Sequence, residues 1–322
     1  MAEPTRRQVL AAGLAAGAAG GFALAVAATG GAAPRAGAPR RSPPARLAGY
    51  TINPRTYGLK DPVAAARLVD GWLGVPAAQT MQKVYVNLPA RPTPQMGALA
   101  VAGCALLVCV RPSRHRTAAE AARLRLFARG FAGTGARLVL WQEMDDGWFP
   151  SQQAWLDYWG FYAPAIQAEG VPCVYDPGCN RRALPRAVAW FPASPVPDEL
   201  RMDFYGNAWA HGSRLEPVLA EAAARGVPAG LGEWGPSAST MITPAQWEGY
   251  CAYLAGVAPR LALGGVYYGS RHHTSCNVVE SADDPKIPGI RAVLAALAAG
   301  QPPAGRAPNA AKKPVERSCT KR

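Results

Sequence analysis

Eight short apolar runs alternate with amphipathic stretches between residues 47 and 299, and this alternation leaves few folds open. The runs that read as strands are Leu47–Asn53, Lys83–Leu88, Ala105–Pro112, Arg137–Asp145, Pro172–Asp176, Arg201–Asn207, Pro228–Gly235 and Leu261–Ser270. Helical stretches lie between them. Asp61 precedes Pro62–Leu73, Thr117 precedes Ala118–Gly130, and Thr243 precedes a run from Pro244 to Val257. Each is a side chain able to accept from the bare N–H groups of a helix start, and proline suits the first helical position. Ser151–Glu169, Ser213–Arg225 and Ile287–Ala299 read as further helices. The connections after the second and fifth strands read as irregular. The strands are short and nearly continuous in apolar character, as expected when both faces are covered. Eight such repeats over about 250 residues predict a (β/α)8 TIM barrel. A doubly wound open sheet is the competing architecture, but no Gly-x-Gly-x-x-Gly turn follows the first strand. There is also no Gly-x-Ser-x-Gly elbow, P-loop or His-Glu-x-x-His motif.

The flanks differ in character from this core. Thr5-Arg6-Arg7-Gln8-Val9-Leu10 precedes a weakly apolar Ala/Gly run, the pattern of a twin-arginine export signal over residues 1–27. Residues 28–46 read as an Ala/Pro/Arg-rich linker and residues 300–322 as a basic disordered tail. The expected location is therefore outside the cell or in the envelope. The net charge of +13 sits mostly in these flanks, and residues 47–299 carry only +3. With no basic helix or RNA-binding strand pattern, a nucleic-acid partner is not expected. The basic tail points instead to weak association with an anionic cell surface. The core is expected to act as a monomer.

A parallel barrel builds its site at the C-terminal ends of its strands. Those ends carry Asn87 (second strand), Arg111 (third), Gln142-Glu143 (fourth), Asp176 (fifth), Tyr205 (sixth), Glu233-Trp234 (seventh) and Tyr268 (eighth). Two glutamates on separate strands suit glycoside cleavage. One carboxyl protonates the leaving oxygen while the other, if close enough, attacks the anomeric carbon. Trp148, Trp234, Tyr205 and Tyr268 offer flat apolar faces for sugar rings. Gln142, Asn87 and Arg111 supply hydrogen-bonding groups. Arg111 also has a structural alternative, pairing with Asp145 or Asp176.

The fragment Trp141-Gln142-Glu143-Met144-Asp145-Asp146-Gly147-Trp148-Phe149 resembles the acid/base segment of glycoside hydrolase family 26. Gly232-Glu233-Trp234-Gly235 resembles that family's nucleophile segment on strand seven. The resemblance implies a retaining mechanism on β-linked polysaccharide or oligosaccharide, of mannan or glucan type. It makes Glu143 the acid/base, Glu233 the nucleophile, Tyr205 the hydroxyl that bonds the nucleophile, and Trp148 a wall of the cleft. It spans the strand order of residues 47–299 and is specific at the two glutamate segments. Gln142, Asp145 and Asp146 stand where the family usually has histidine, asparagine and glycine.

Neither a cofactor nor a metal is implied by these residues. Two other readings remain: a non-catalytic glycan-binding barrel, and a metal-dependent enzyme using Glu143, Asp145 and Asp146. Among the seven cysteines, Cys173 and Cys179 flank a turn and are candidates for a disulfide. Cys104 and Cys109 are expected as core residues on opposite faces of a strand. Trp155, Tyr158 and Trp159 have the spacing of a helix packing face. His272 and His273 read as loop residues.

Overall fold

The computed structural model describes residues 49–51, 61–74, 81–88, 92–144, 147–236, 242–268, 279 and 281–299. The export signal, linker and basic tail lie outside these residues. So do Asp145, Asp146, His272, His273, Cys276 and Cys319.

Eight parallel strands form one sheet in the order β1-β8-β7-β6-β5-β4-β3-β2. They are β1 (Gly49–Thr51), β2 (Met81–Asn87), β3 (Ala105–Arg111), β4 (Arg137–Leu140), β5 (Cys173–Tyr175), β6 (Glu199–Tyr205), β7 (Ala229–Gly235) and β8 (Gly265–Tyr268). The end strands β1 and β2 lie against each other, which closes the sheet into the expected barrel. The helices are α1 (Pro62–Leu73), α2 (Pro94–Val101), α3 (Ala118–Arg129), α4 (Gln152–Gln167), α5 (Leu184–Ala189), α6 (Gly206–Ala210), α7 (Glu216–Ala224), α8 (Pro244–Val257) and α9 (Ile287–Ala299).

Local chemistry sets the helix starts. Asp61 accepts from the Val63 N–H, Thr117 from that of Glu120, and Thr243 from that of Gln246. α1 ends at Gly74, whose φ of 67° is open to glycine without steric cost. Helix α2 fills a connection that reads as irregular in sequence, although Thr93-Pro94 supplies a capped start.

Alternation along the strands builds two cores. Met81, Leu107, Cys109, Val139, Val174 and Val266 pack inside the barrel. Leu106, Leu138, Phe204, Leu231 and Trp234 face outward into the larger layer beneath the helices. Trp155, Tyr158 and Trp159 of α4 are fully buried in that layer, as their spacing predicts. Cys104 belongs to the outer core and Cys109 to the inner one. Cys173 and Cys179 are buried thiols with no bridge between them, which overturns the expected disulfide.

At the N-terminal end of the barrel a buried charge cluster replaces apolar packing. Arg137 Nε reaches Glu199 Oε1 at 2.5 Å, and Arg201 Nη2 reaches Glu199 Oε2 at 3.0 Å. Arg201 Nη1 also donates to the Gly264 carbonyl at 3.0 Å. Each charge is thus hydrogen-bonded as well as paired, which burial requires.

Candidate active site

Strand β4 ends at Leu140, earlier than its apolar pattern suggests, because the chain turns left-handed twice. Trp141 has φ 59° and Glu143 φ 48°. Each non-glycine residue in that region costs about 1–3 kcal/mol unless packing enforces it. Rings supply that packing. Trp141 meets Trp148, Phe149 and Tyr158 edge-on, with centroids 5.9, 5.3 and 5.5 Å away. The turn keeps its place through Trp141 N–H to the Val110 carbonyl at 3.0 Å and Glu143 N–H to the Asp176 carbonyl at 2.8 Å. Glu143 is consequently held half-buried at the barrel mouth.

Glu233 lies deeper, 2% exposed. Three side chains hold its carboxylate. Tyr205 donates its hydroxyl to Oε2. Gln142 Nε2 donates to Oε1 at 2.9 Å and also to Asp203 Oδ2 at 2.7 Å. Lys83 Nζ stands 3.2 Å from Glu233 Oε1. The same ammonium contacts Asp176 Oδ2 at 2.7 Å and Asp203 Oδ1 at 3.0 Å. Three acids from β7, from just past β5 and from β6 therefore share one cation from β2, inside the barrel.

The sheet is locally adapted to this cluster. β6 and β7 pair Met202 with Leu231 but Asp203 with Glu233, so Gly232 is an extra residue in the ladder. A Cβ at Gly232 would lie 2.3 Å from Asp176 Oδ1 and 2.5 Å from Asp203 Oδ1. Only glycine leaves room for the two aspartates there.

Burial and neighbouring charge set the ionisation of the cluster. Burial raises Asp203 well above the usual carboxylate range, and Asp176 beside it adds to the rise. Burial also raises Asp176, against the pull of Lys83. For Lys83, burial works downward, but Asp176, Asp203 and Glu233 outweigh it and hold the ammonium well above its ordinary range. Burial raises the Tyr205 hydroxyl, helped by the charges of Asp203 and Glu143, so it stays a donor. Glu143 thus acts electrostatically on Asp176 and on the tyrosine that grips Glu233.

The other residues expected at the site divide. Tyr268 lies edge-on to Tyr205 at 6.3 Å. Arg111 sits over the rings of Trp148 and Trp141 at 5.3 and 5.9 Å, so its neighbours are aromatic faces. Asp176 is paired with Lys83 instead. Asn87 ends β2 directly opposite Arg111 and is exposed. Trp148 is half-buried at the outer core. Trp234 does not belong to the cleft. It is fully buried against Tyr267 at 5.1 Å, because the residue after an inward glutamate must face outward. Gln142 is buried with its amide committed to Glu233 and Asp203, a role in holding the carboxylate rather than a sugar. Sequence reading missed Lys83 and Asp203. Asp203 precedes Tyr205 by two residues, so strand alternation already puts both on one face.

No family model and no curated protein sequence matches the chain. Solved structures do match, at the level of the fold. The catalytic domain of a Bacillus sp. JAMB-750 family 26 endo-β-1,4-mannanase superposes with TM-score 0.54 at 14% identity, over 78% of this chain and 85% of that one. A modular endo-β-1,4-mannanase from Cellulomonas fimi gives TM-score 0.54 at 16% identity, over 77% and 70%. A family 26 protein from Muricauda sp. MAR_2010_75 gives 0.52 at 12% identity, over 78% and 85%. The chain has the (β/α)8 barrel fold found in glycoside hydrolases of this kind.

Proposed function

We propose that this chain is an exported, monomeric glycoside hydrolase that cleaves β-linked glycan of mannan or glucan type with retention. The observation that carries this reading is the unequal setting of two carboxyls at the barrel mouth. Glu233 is deep and fixed by Tyr205, Gln142 and Lys83. Glu143 is half-buried on a turn that opens to solvent. A nucleophile needs fixed aim, and an acid/base must exchange protons with water.

In this mechanism Glu233 attacks the anomeric carbon as Glu143 protonates the leaving oxygen. Glu143 then removes a proton from water, which releases the sugar from Glu233. Trp148 and Tyr268 offer ring faces to the bound glycan, and Arg111 and Asn87 offer donors beside them. The shared fold of endo-β-1,4-mannanases and the twin-arginine segment support the substrate class and the export route.

Product analysis tests the proposal. Purified residues 28–322 are incubated with β-mannans, β-glucans and β-xylans. Sugar release that stops in Glu233→Gln supports it and identifies the polymer. Binding to a polymer without any release points to a non-catalytic glycan-binding barrel.

A further inference from the structure

The cluster under Glu233 holds more acid than its single cation balances. Asp176, Asp203 and Glu233 surround Lys83 Nζ at 2.7, 3.0 and 3.2 Å, and both aspartates are essentially dry. Asp176 Oδ1 has no hydrogen-bond donor among the described residues. It and Asp203 Oδ1 both close on Gly232, where a Cβ would lie 2.3 and 2.5 Å from them, and the two aspartate side chains are within hydrogen-bonding reach of each other. Two buried carboxylates facing each other repel, whereas one proton between them satisfies the bare oxygen and removes the repulsion. Asp203 otherwise accepts from Lys83 and Gln142, whereas Glu233 accepts from Gln142 and Tyr205 and is paired with Lys83. Both Glu233 oxygens thus have a donor, and Asp176 Oδ1 has none among the described residues.

We propose that Asp176 and Asp203 share a single proton, carried on Asp203, and that with Lys83 they keep Glu233 ionised and aimed. Lys83 and Asp203 are positioning residues that act through Glu233. The assignment of Glu233 as nucleophile rests on the glycosidase reading; the charge arrangement does not. The titratable groups around Asp203 on the surrounding strands are Lys83, Cys109, Asp176, Tyr205 and Glu233, and Glu143 acts on Asp176 and Tyr205 beside it. Burial raises the Cys109 thiol far above its ordinary range, so it stays neutral. Burial and the neighbouring charges likewise keep Tyr205 neutral. Only the acids can give up or take the proton.

Infrared spectroscopy of the full chain with carbon-13 aspartate carboxyls tests this without any substrate. At pH 7 the wild type is expected to show the carbonyl band of one buried, protonated aspartic acid, and Asp203→Asn to lack it. A wild type with every aspartate ionised overturns the proposal, whether or not the variants fold. With aspartate and glutamate carboxyls labelled in turn, Lys83→Met is expected to gain a further protonated-carboxyl band in one of the two spectra; both spectra unchanged overturn the role of Lys83. Hydrolysis of 2,4-dinitrophenyl β-mannoside and β-cellobioside supplies the kinetic arm. Lys83→Met is expected to lower kcat about a hundredfold with little change in KM, and to move the acid limb to higher pH. An inert wild type that shows the aspartate band removes the glycosidase reading and leaves the shared proton standing.

Discussion

The Glu143 N–H donates to the Asp176 carbonyl at 2.8 Å, which ties the turn bearing one candidate catalytic carboxyl to the segment after β5. The Asp176 side chain, from the same residue, reaches Lys83 and hence the cluster under Glu233. The two carboxyls are therefore placed relative to one another through a common residue, although 90 positions separate them in sequence.

Removing the Glu143 carboxyl separates its two roles. Glu143→Ala is expected to lose about a thousandfold in kcat on glycans whose leaving group needs a proton. A 2,4-dinitrophenyl glycoside needs no such help, so its first step survives and added azide restores turnover. An azide-independent rate on that substrate would remove Glu143 as the base.

Tyr205→Phe deletes the hydroxyl that Glu233 Oε2 accepts from. A charge-assisted hydrogen bond of this kind is worth about 2 kcal/mol, or roughly thirtyfold in rate. Steady-state kinetics should show the loss in kcat with the fold intact by circular dichroism. Unaltered kcat would make the contact one of packing only.

Gly232→Ala forces a methyl onto Asp176 Oδ1 and Asp203 Oδ1. Asp203 Oδ1 cannot retreat without leaving Lys83, and Asp176 Oδ1 belongs to the carboxylate whose other oxygen holds Lys83, so a stability loss of about 3 kcal/mol is expected in urea melts. A wild-type midpoint would show that the aspartates move freely.

The pH dependence of stability has a separate handle on the barrel's outside. Glu169, just past α4, accepts from Arg129 Nε at 2.9 Å and Arg125 Nε at 2.6 Å, both on α3. Hydrogen bonds from Arg129 and Arg125 pull its carboxyl down to about 2. The ionised form is favoured in the folded state, so its contribution is complete above the unfolded carboxylate value and fades as pH falls through about 2. The arginine heads are half-exposed, which limits the effect to about 1 kcal/mol. Glu169→Gln should cost that much at pH 7 and almost nothing near pH 2, measured by urea melts at both.

The barrel was legible from period and caps because each strand needs two buried faces and each helix one. Glu143, Glu233 and Tyr205 were legible because they lie at or just past the ends of strands, where a barrel opens. Lys83 was not, since a lysine at the edge of an apolar run reads as a strand boundary; β2 instead begins at Met81, and the lysine is interior. Asp203 was hidden in the same way between Met202 and Phe204. Both are charges whose partners lie on other strands, and one-dimensional patterning carries no pairing information. Trp234 shows the opposite error: its residue type suits a sugar, but strand alternation turns it away. The short β4 was missed because Trp141 and Glu143 leave the strand through backbone angles that their side chains do not announce.

The charge cluster at the N-terminal end of the barrel gives its interior a direction. Two guanidiniums flank one carboxylate there, while one ammonium sits among three acids near the mouth. Along the axis the interior thus runs from electropositive to electronegative over a low-dielectric path. Positive charge arising on a sugar ring at the mouth would meet a field already oriented to receive it. Cationic sugar mimics should accordingly bind the mouth better than neutral ones of the same shape.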